Sequence, residues 1–547
     1  MIERKISKSY LYLTAIILAL RASLLPIPAL IDTTEGRFAA VAQEMVLRGD
    51  WITPYIPLRQ GFVPYWAKPP LHIWLTALSL KLFGMHEFSA RLPAFVASLA
   101  TSIMLYLFSK RFFPLLNPFL SVVVMFSAGL FFFISGGSLT DPTLCASITG
   151  MMVSFAFFAD AKTHRESSKA GILFFVFAAL GMLTKGPVSV ALSGLSLFLW
   201  LLISRKFSLL AKLPWGIGLL AFFTISAPWY IAAEIKTPGF LHYFFINEHI
   251  KRYLFSNFGI KYGSGHSYAY GSIWIMAVLA FIPWSVHLLL SAYAFRIKLK
   301  EAIVEKNDWG LYLLCWALSA PIFFTFSKHI LATYLLPSIP PLSLLTVLAF
   351  HYAEDKNRQN LYSKITQVLV ALMYFGALIA IGFGIKFGEP FTVTALSVVL
   401  IWLSIALIRS QNFQNKETGF ASRQIKTVAI STILLYSLVV LNFNHYVSNK
   451  RSAKSLLEYV ASISRKKRIK IAVLQSHSYG AYFYDDSFLG KKISLFPING
   501  EEIGKGGIRR YMIKRNDVHK VQARHMNRLE FVKNFGKWSL YRLKKEK

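Results

Sequence analysis

Acidic and basic residues stand together just outside several long apolar runs of this sequence. Residues 32–38 read DTTEGRF and follow such a run, so Asp32, Glu35 and Arg37 lie one step beyond a predicted membrane span. Further charged residues occupy similar places beside other apolar runs: Lys68, Asp141, Lys185, Glu248, His249, Arg252 and Lys328. Because an ion is costly at membrane depth, charges at the mouths of spans are candidates for a functional site.

These residue types suit the binding of a lipid phosphate and the transfer of a proton. Arg offers two aligned donors and Lys a compact positive charge. A lipid phosphate keeps its charge near the headgroup plane while its tail stays in hydrocarbon. A carboxylate among such cations can accept a proton from an acceptor, or orient an amine or hydroxyl of a sugar. The candidate acids are Asp32, Glu35 and Asp141.

Each candidate also has a structural interpretation. Asp141 precedes a proline and could cap a helix. Lys185 and Lys328 could be interfacial anchors, and His249 alone is more often structural than catalytic. Arg37 could pair with a neighbouring acid at the surface, a contact worth about 0–1 kcal/mol. The shared placement of these residues at one depth and on one face favours the functional interpretation.

The elements that must position these residues are membrane helices. The chain is 55% hydrophobic, which excludes an ordinary soluble globular protein. Thirteen apolar runs are predicted to cross a hydrocarbon core about 30 Å thick: near 10–30, 92–109, 115–135, 142–159, 171–184, 188–204, 214–233, 271–295, 309–326, 330–350, 364–385, 391–408 and 427–445. The shorter run 69–83 is predicted to lie along the interface or to re-enter the membrane.

The loop charges predict the orientation. Lys and Arg concentrate in alternate connections, whereas the short connections on the other side carry only Lys185, Lys328 and Lys386. By the positive-inside rule, the N-terminus is then cytoplasmic and the loops 31–91 and 234–270 lie outside. All candidate site residues fall on the outer side, and an odd number of spans also puts the C-terminal hundred residues there.

The chain is predicted to divide into a membrane domain, residues 1–445, and a small α/β domain, residues 446–547. The second part contains strand-like RIKIAVLQ and KISLFP, and a final KWSLYRL that alternates like an edge strand. It carries 24 Lys and Arg against 8 Asp and Glu. Outside a membrane, such charge favours an anionic leaflet or lipid headgroup over nucleic acid. A merely solvated basic face is the alternative.

The first outer loop is predicted to contain an amphipathic helix. It begins at Thr34, its apolar stripe includes Phe38 and Met45, and Glu44 with Arg48 makes an i,i+4 pair. We expect it to lie flat on the outer leaflet.

Longer motifs in the membrane part resemble the GT-C class of polyprenyl-phosphate-dependent glycosyltransferases. Within that class, they are similar to the bacterial lipid A aminoarabinose transferase group, which is related to the protein O-mannosyltransferases. The motifs are TTEGRFAAVAQEMVLRGDWITP at 33–54, YWAKPPLHIWLTALSLKLFG at 65–84, EFSARLP at 87–93, TDP at 140–142, LTKGP at 183–187 and HYFFINEHIKRY at 242–253. The C-terminal part matches only in position and general character.

The resemblance implies a mostly α, polytopic GT-C-like bundle with a cavity that opens at the outer leaflet. It implies a sugar on undecaprenyl phosphate as the donor, and Asp141 as the counterpart of the family's second important acid. The residues implied at the lipid phosphate or lining the cavity are Arg37, Lys68, Arg252, Lys185 and Tyr65. Glu248, His249 and Lys328 are further cavity candidates.

The sequence departs from the family pattern at several positions. The usual Asp-Glu-x-Arg has Thr34 in place of Asp and keeps Glu35, with Asp32 two residues before the replaced position. A Glu that can join a metal site is replaced by Ala67. We therefore predict no metal requirement, with a divalent metal left open as the alternative. These departures, and others after Lys328, indicate a subgroup that could handle a hexosamine.

The predicted function is a glycosyltransferase of the bacterial inner membrane. It would move a sugar, in our interpretation an amino sugar, from undecaprenyl phosphate to a lipid A phosphate or another periplasmic acceptor. The protein would chiefly stabilise the charge of the leaving phosphate and align the reactants. Hydroxyl glycosylation, as in protein O-mannosyltransferases, is an alternative that would require a base. A lipid-linked saccharide transporter and a non-catalytic lipid-binding scaffold are further alternatives. The one-sided charges disfavour the transporter, and the grouped acids disfavour the scaffold.

Overall fold

The computed structural model describes most of the chain as a bundle of apolar helices followed by a small sheet domain. This confirms the predicted mostly α membrane bundle with a C-terminal α/β part. The described residues are 8–32, 34–58, 61–255, 262, 267–291, 309–353, 356–414, 419–463, 469–474, 479–484, 493–498, 502–503 and 508–544.

The membrane part contains the helices α1 to α20 and one hairpin. The elements up to the outer loop 234–270 are α1 Lys8–Ser23, α2 Thr34–Arg48, β1 Tyr55–Leu58, β2 Gly61–Pro64, α3 Leu71–Phe83, α4 Glu87–Phe112, α5 Pro118–Phe126, α6 Gly129–Ile134, α7 Thr140–Ala159, α8 His164–Lys185, α9 Val188–Ser204, α10 Ser208–Lys212 and α11 Trp215–Lys236. The later elements are α12 Phe240–His242, a π-helix Tyr243–Lys251, α13 Arg252–Leu254, α14 Ser272–Ala280, α15 Trp284–Ser291, α16 Trp309–Thr325, a 3₁₀ helix Ala332–Ser338, α17 Ile339–Tyr352, α18 Lys356–Lys386, α19 Phe391–Gln414 and α20 Phe420–Asn442.

Eight of the described helices are long and apolar enough to cross a membrane, so the protein is a multi-span membrane protein. The helices α14 and α15 are separated by a short break at which the chain bends by 112°. If they form one broken span, the number of candidate spans among the described helices is nine. Eight of the thirteen predicted runs fall on these eight helices. The runs near 10–30, 188–204 and 309–326 fall on shorter apolar helices, and the run 271–295 falls on the α14–α15 pair, with 292–295 outside the described residues. The run 115–135 divides into α5 and α6, and α3 is too short to cross, as predicted.

Arg21 explains how a charge is accommodated inside the first apolar run. Its Nε donates to the carbonyl oxygen of Phe132 at 2.7 Å and its Nη2 to that of Phe133 at 3.3 Å. These carbonyl groups lie at the end of α6, where the helix leaves acceptors without partners in its own backbone. A side chain at Gly136 would collide with the guanidinium, its Cβ lying 1.7 Å from Nη2. Arg21 is therefore a structural cap of α6.

The amphipathic helix α2 packs inside the protein. Phe38 and Met45 are buried, and the predicted Glu44–Arg48 pair is present at 2.9 Å. The apolar stripe contacts α3 and a short helix of the C-terminal domain, α23 Tyr479–Phe483. The expectation that this face lies on the leaflet is therefore wrong, because the C-terminal domain covers it.

The C-terminal domain is built on a five-stranded sheet of order β4-β3-β5-β7-β6. Its elements are α21 Asn444–Lys450, α22 Lys454–Ser462, β3 Ile469–Leu474, α23, β4 Ile493–Ile498, β5 Arg510–Lys514, a 3₁₀ helix Arg515–Lys520, α24 Ala523–Met526, β6 Leu529–Phe535 and β7 Trp538–Leu543. Strand β3 runs parallel to β4 and β5, and β7 is antiparallel to β5 and β6. The predicted edge position of KWSLYRL is wrong, because β6 pairs with the outer side of β7.

The sheet domain and the first outer loop share one apolar core. It includes Phe38 and Tyr65 from the loop, and Leu456, Tyr479 and Trp538 from the domain. Burial of a large side chain stabilises such a contact by about 1.5–3 kcal/mol. The domain is therefore seated directly over the residues around Asp32 and Arg37.

Candidate active site

The HYFFINEHIKRY motif folds as a π-helix over Tyr243–Lys251. This wide turn is rare and occurs often at functional sites, because it changes where successive side chains point. It carries Glu248 and His249, and Arg252 follows at the start of α13. The local backbone thus presents three of the predicted site residues together.

Lys68 and Arg252 converge on Glu248. The ammonium of Lys68 lies 2.8 Å from Glu248 Oε1, and Arg252 Nη1 contacts the same oxygen. Glu248 is only 8% exposed. Residues 180 positions apart in sequence therefore form one buried group with two cations and one acid, which carries a net positive charge.

The environment shifts the ionisation of this group. Burial would raise the pKa of Glu248, but the charges of Lys68 and Arg252 outweigh burial and hold it below its ordinary value. Burial lowers the pKa of Lys68 to about 8, although Glu248 opposes the change. Glu248 is therefore an anion at neutral pH, and Lys68 remains mostly a cation there.

A second ion pair joins the ends of two membrane helices. Lys185, the last residue of α8, lies with its ammonium 2.9 Å from Oδ1 of Asp141 in the first turn of α7. The same ammonium is 4.5 Å from the ring centre of Tyr334. The N-cap position of α7 is Leu139, without a side-chain capping bond. The contacts of Asp141 are therefore those of an ion pair, and the capping alternative does not describe them.

His249 connects the two charged groups. Its Nδ1 lies 2.7 Å from the carbonyl oxygen of Phe244, and its Nε2 lies 3.1 Å from that of Lys185. Burial lowers its pKa, while these two carbonyl groups act in the opposite direction. His249 thereby attaches the π-helix to the end of α8.

A cavity of about 380 Å³ opens beside these groups. Lys68, Lys185, Glu248, His249 and Arg252 line it, and Ser327 and His329 are further polar residues of the lining. The rest of the lining is largely apolar or aromatic: Leu144, Val188, Ala191, Leu192, Ile250, Tyr253, Leu254, Phe323, Phe324 and Tyr334. A cavity lined by several cations and by many apolar side chains matches an anionic headgroup with a hydrocarbon tail.

Arg37 and Tyr65 adjoin the group on the side of the C-terminal domain. The Arg37 guanidinium lies 5.9 Å from the ring centre of Tyr65, and burial raises the pKa of Tyr65, with Arg37, Glu248 and Arg252 near enough to influence it. The Nε of Arg37 is buried without a hydrogen-bond partner among the described residues. Arg37 is thus the outlying cation, and neither Arg37 nor Tyr65, which was expected to line the cavity, is among the residues that line it.

The structure brings Glu35 to a different partner. Arg91 of α4 binds both oxygens of Glu35, at 2.7 and 3.0 Å, and the backbone N–H groups of Ile31 and Ser138 also donate to them. The alternative in which Arg37 pairs with this neighbouring acid is therefore wrong, because Arg91 holds Glu35. Arg91 was missed at the sequence level, although the EFSARLP motif contains it. This arrangement ties α4 to the first outer loop and does not support proton transfer by Glu35.

Asp32 and Lys328 also lie outside the cavity lining. Oδ1 of Asp32 accepts from the N–H of Gly480 at 2.9 Å, and Lys537 lies 3.7 Å from Oδ2. Both partners belong to the C-terminal domain, so Asp32 attaches that domain to the first loop. Lys328 places its ammonium 3.7 Å from the ring centre of Tyr270. The cavity lining contains instead its neighbour His329, which was not among the candidate site residues.

No group of three or more His, Cys, Asp and Glu side chains in the described part of the chain is arranged to hold a metal ion. The absence of a metal requirement remains a prediction. It rests on Ala67, at the position where the resemblance implies a Glu that can join a metal site.

Comparison with known proteins supports the resemblance. A family described as "Dolichyl-phosphate-mannose-protein mannosyltransferase" matches residues 67–231. The chain is 27% identical over 398 residues to the "Undecaprenyl phosphate-alpha-4-amino-4-deoxy-L-arabinose arabinosyl transferase" of Erwinia tasmaniensis, covering 72% of this chain and 65% of that one. A relative of the same name from Proteus mirabilis is 29% identical over 382 residues, covering 67% of this chain and 64% of that one. These alignments span somewhat less than two thirds of each relative.

The fold is similar to that of a solved protein named ArnT. The crystal structure of ArnT from Cupriavidus metallidurans bound to undecaprenyl phosphate superposes with a TM-score of 0.77, 19% identity and coverage of 97% of both chains. The same protein in the apo state gives a TM-score of 0.73 at 18% identity. The similarity extends over the bundle and the C-terminal domain together.

Proposed function

We propose that this protein is a glycosyltransferase that takes a sugar from undecaprenyl phosphate. The observation that carries the proposal is the cavity, whose lining combines the cations Lys68, Lys185 and Arg252 with mostly apolar side chains. Such a cavity fits the phosphate and first isoprene units of a polyprenyl donor. The named relatives, which act on undecaprenyl phosphate-linked aminoarabinose, support the same assignment.

The chemistry is a displacement at the anomeric carbon of the sugar. The bond between that carbon and the phosphate oxygen breaks, and its electron pair stays on the departing polyprenyl phosphate. An acceptor oxygen forms the new bond to the carbon. Lys68, Arg252 and Lys185 stabilise the charge that grows on the leaving phosphate, and the preorganised positions of these groups lower the barrier. Arg37 supports the same charge from beside Tyr65.

The acceptor in this proposal is a lipid A phosphate, and the sugar is an amino sugar. A phosphate acceptor is already anionic near neutral pH and needs little help from a base. Asp141 is the candidate acid nearest the cavity because its partner Lys185 lines it. We assign Asp141 the task of orienting Lys185, and Glu248 that of holding Lys68 and Arg252 between turnovers.

The proposal includes a location in the bacterial inner membrane. The N-terminus is cytoplasmic, and the cavity and C-terminal domain face the periplasm. The loop charges support this orientation. Single cysteines placed at exposed positions of β6 and of the loop before α8 should react with an impermeant thiol reagent from opposite sides of the membrane.

Protein O-glycosylation is the second candidate function. The family match over residues 67–231 favours it, since that family is described by its action on proteins. A Ser or Thr hydroxyl must lose its proton, and Asp141 would then serve as the base. A transporter is less favoured because the charged site residues Lys68, Lys185 and Arg252 gather around a single cavity.

The test is mass spectrometry of lipid A from cells with and without the protein. A mass increase of one amino sugar on a phosphate is expected, and it should be lost with Lys68→Ala and Arg252→Ala. Lys236→Ala is the matched control, because Lys236 pairs with Asp50 at 2.7 Å outside the cavity lining. Unmodified lipid A together with glycosylated periplasmic protein would select the second candidate. Transfer should also persist in a chelator, in line with the absence of a metal requirement.

A further inference from the structure

Tyr479 reaches from the C-terminal domain to the surroundings of Arg37. It is the first residue of α23 and is only 2% exposed. The Arg37 guanidinium lies 5.9 Å from its ring centre. The hydroxyl of Tyr479 donates to the carbonyl oxygen of Tyr262 at 3.3 Å, and Nη1 of Arg37 donates to the same oxygen at 3.2 Å. The two side chains therefore share one acceptor.

The position of Tyr479 is set by close backbone packing between α23 and α2. The N–H of Gly480 donates to Oδ1 of Asp32 at 2.9 Å. A Cβ added to Gly36 would lie 2.5 Å from the Cα of Gly480, so only glycine allows this approach. Arg37 is the residue after Gly36, and Tyr479 is the residue before Gly480. The contact between the two helices thus fixes Tyr479 relative to Arg37.

Tyr262, whose carbonyl oxygen accepts from both Tyr479 and Arg37, also contacts the segment that leads to Lys68. The hydroxyl of Tyr262 donates to the carbonyl oxygen of Pro64 at 2.7 Å and accepts from the N–H of Trp66 at 3.2 Å. The Tyr262 ring packs edge-on against Tyr65, with 5.1 Å between ring centres. Lys68 follows two residues after Trp66. The backbone before Lys68 and the side chain of Arg37 are therefore anchored on the same tyrosine.

We infer that Tyr479 is a positioning residue through which the C-terminal domain orients Arg37 for binding the polyprenyl phosphate. An Arg side chain has several rotatable bonds, and fixing it in advance lowers the entropic cost of binding. The ring of Tyr479 restricts the guanidinium, and its hydroxyl fixes the Tyr262 carbonyl that Arg37 uses. The identity of the anion rests on the proposed function.

The test measures undecaprenyl phosphate binding by the full-length purified protein. Tyr479→Phe removes only the hydroxyl, and Tyr479→Ala removes the ring as well. We expect binding weaker by about 3-fold for the first and about 10-fold for the second. Tyr511→Phe is the matched control, because its buried hydroxyl also donates to a carbonyl, that of Ile508 at 2.9 Å, within the core of the same domain. It should bind as the wild type does.

A double-mutant cycle separates positioning from general packing. If Tyr479 acts through Arg37, the combination of Tyr479→Phe with Arg37→Ala should bind no more weakly than Arg37→Ala alone, within about 2-fold. The inference would be overturned if the affinity losses of the two single substitutions multiplied in the double variant. It would also be overturned if folded Tyr479→Ala bound undecaprenyl phosphate as well as the wild type does. If Tyr479→Ala does not fold, the cycle with Tyr479→Phe decides. A wild-type protein that binds no undecaprenyl phosphate would overturn the proposed function itself, and the inference with it.

Discussion

Lys185 Nζ lies 2.9 Å from Asp141 Oδ1, so the last residue of α8 and the first turn of α7 meet in an ion pair. Both groups are largely buried, and Lys185 also lines the cavity. A buried cation with one carboxylate partner and an open cavity beside it can exchange that partner for a substrate phosphate. The same holds for Lys68 and Arg252, which share Glu248.

The first prediction concerns Asp141→Asn. Loss of the carboxylate frees Lys185 to move, and we expect turnover with a phosphate acceptor to fall by about 10-fold, since a charged hydrogen bond contributes about 1.5–3 kcal/mol. If Asp141 only orients Lys185, the substitution should have no further effect in a Lys185→Gln background. A further large loss in that background would identify Asp141 as a base. Steady-state kinetics with a purified acceptor provide the measurement.

The second prediction concerns Glu248→Gln. Lys68 and Arg252 would lose their shared counterion, and breaking a buried ion pair costs about 3–5 kcal/mol. The melting temperature without ligand should therefore fall, and undecaprenyl phosphate should raise it more than in the wild type, because the phosphate replaces the missing charge.

Glu44→Gln is the control for this comparison. It breaks the more exposed Glu44–Arg48 pair, so the melting temperature should change little. Equal ligand-induced shifts in Glu248→Gln and the wild type would argue against binding of the phosphate at this group.

The third prediction is a pH dependence of donor binding. Burial lowers the pKa of Lys68 to about 8. The side chain is then charged below this pH and becomes neutral above it, so binding of undecaprenyl phosphate should weaken between about pH 7.5 and 9.5. Lys68→Arg should bind with little change over this range, because Arg stays charged. A steep decrease in both proteins would assign the titration to another group.

The fourth prediction concerns Glu35→Gln. Its pKa is held below the ordinary value because Arg91 and two backbone N–H groups outweigh burial. The substitution should lower the free energy of unfolding by about 3–5 kcal/mol, since it leaves Arg91 buried without its anion. The folded fraction should retain kcat within about 3-fold. Loss of kcat in a protein of normal stability would restore Glu35 as a candidate base.

Much of the membrane architecture follows from the sequence. Spans depend on local hydropathy over about twenty residues, so the apolar runs of α4, α7 and α8 are visible without tertiary information. The grouping of Lys68, Lys185, Glu248 and Arg252 could also be predicted. Charged residues at the same depth and on the same face of a membrane bundle avoid the lipid and therefore tend to meet.

Tertiary structure alone decided which acid each cation meets. Arg37 and Glu35 are neighbours in sequence, yet Glu35 binds Arg91 and Arg37 lies among aromatic rings. Asp32 attaches to Gly480, which is 448 positions away. The depth of a residue in the membrane follows from the composition of the residues around it in sequence. The partner of a charged residue depends instead on how distant helices and loops pack, and no short stretch of sequence contains that information.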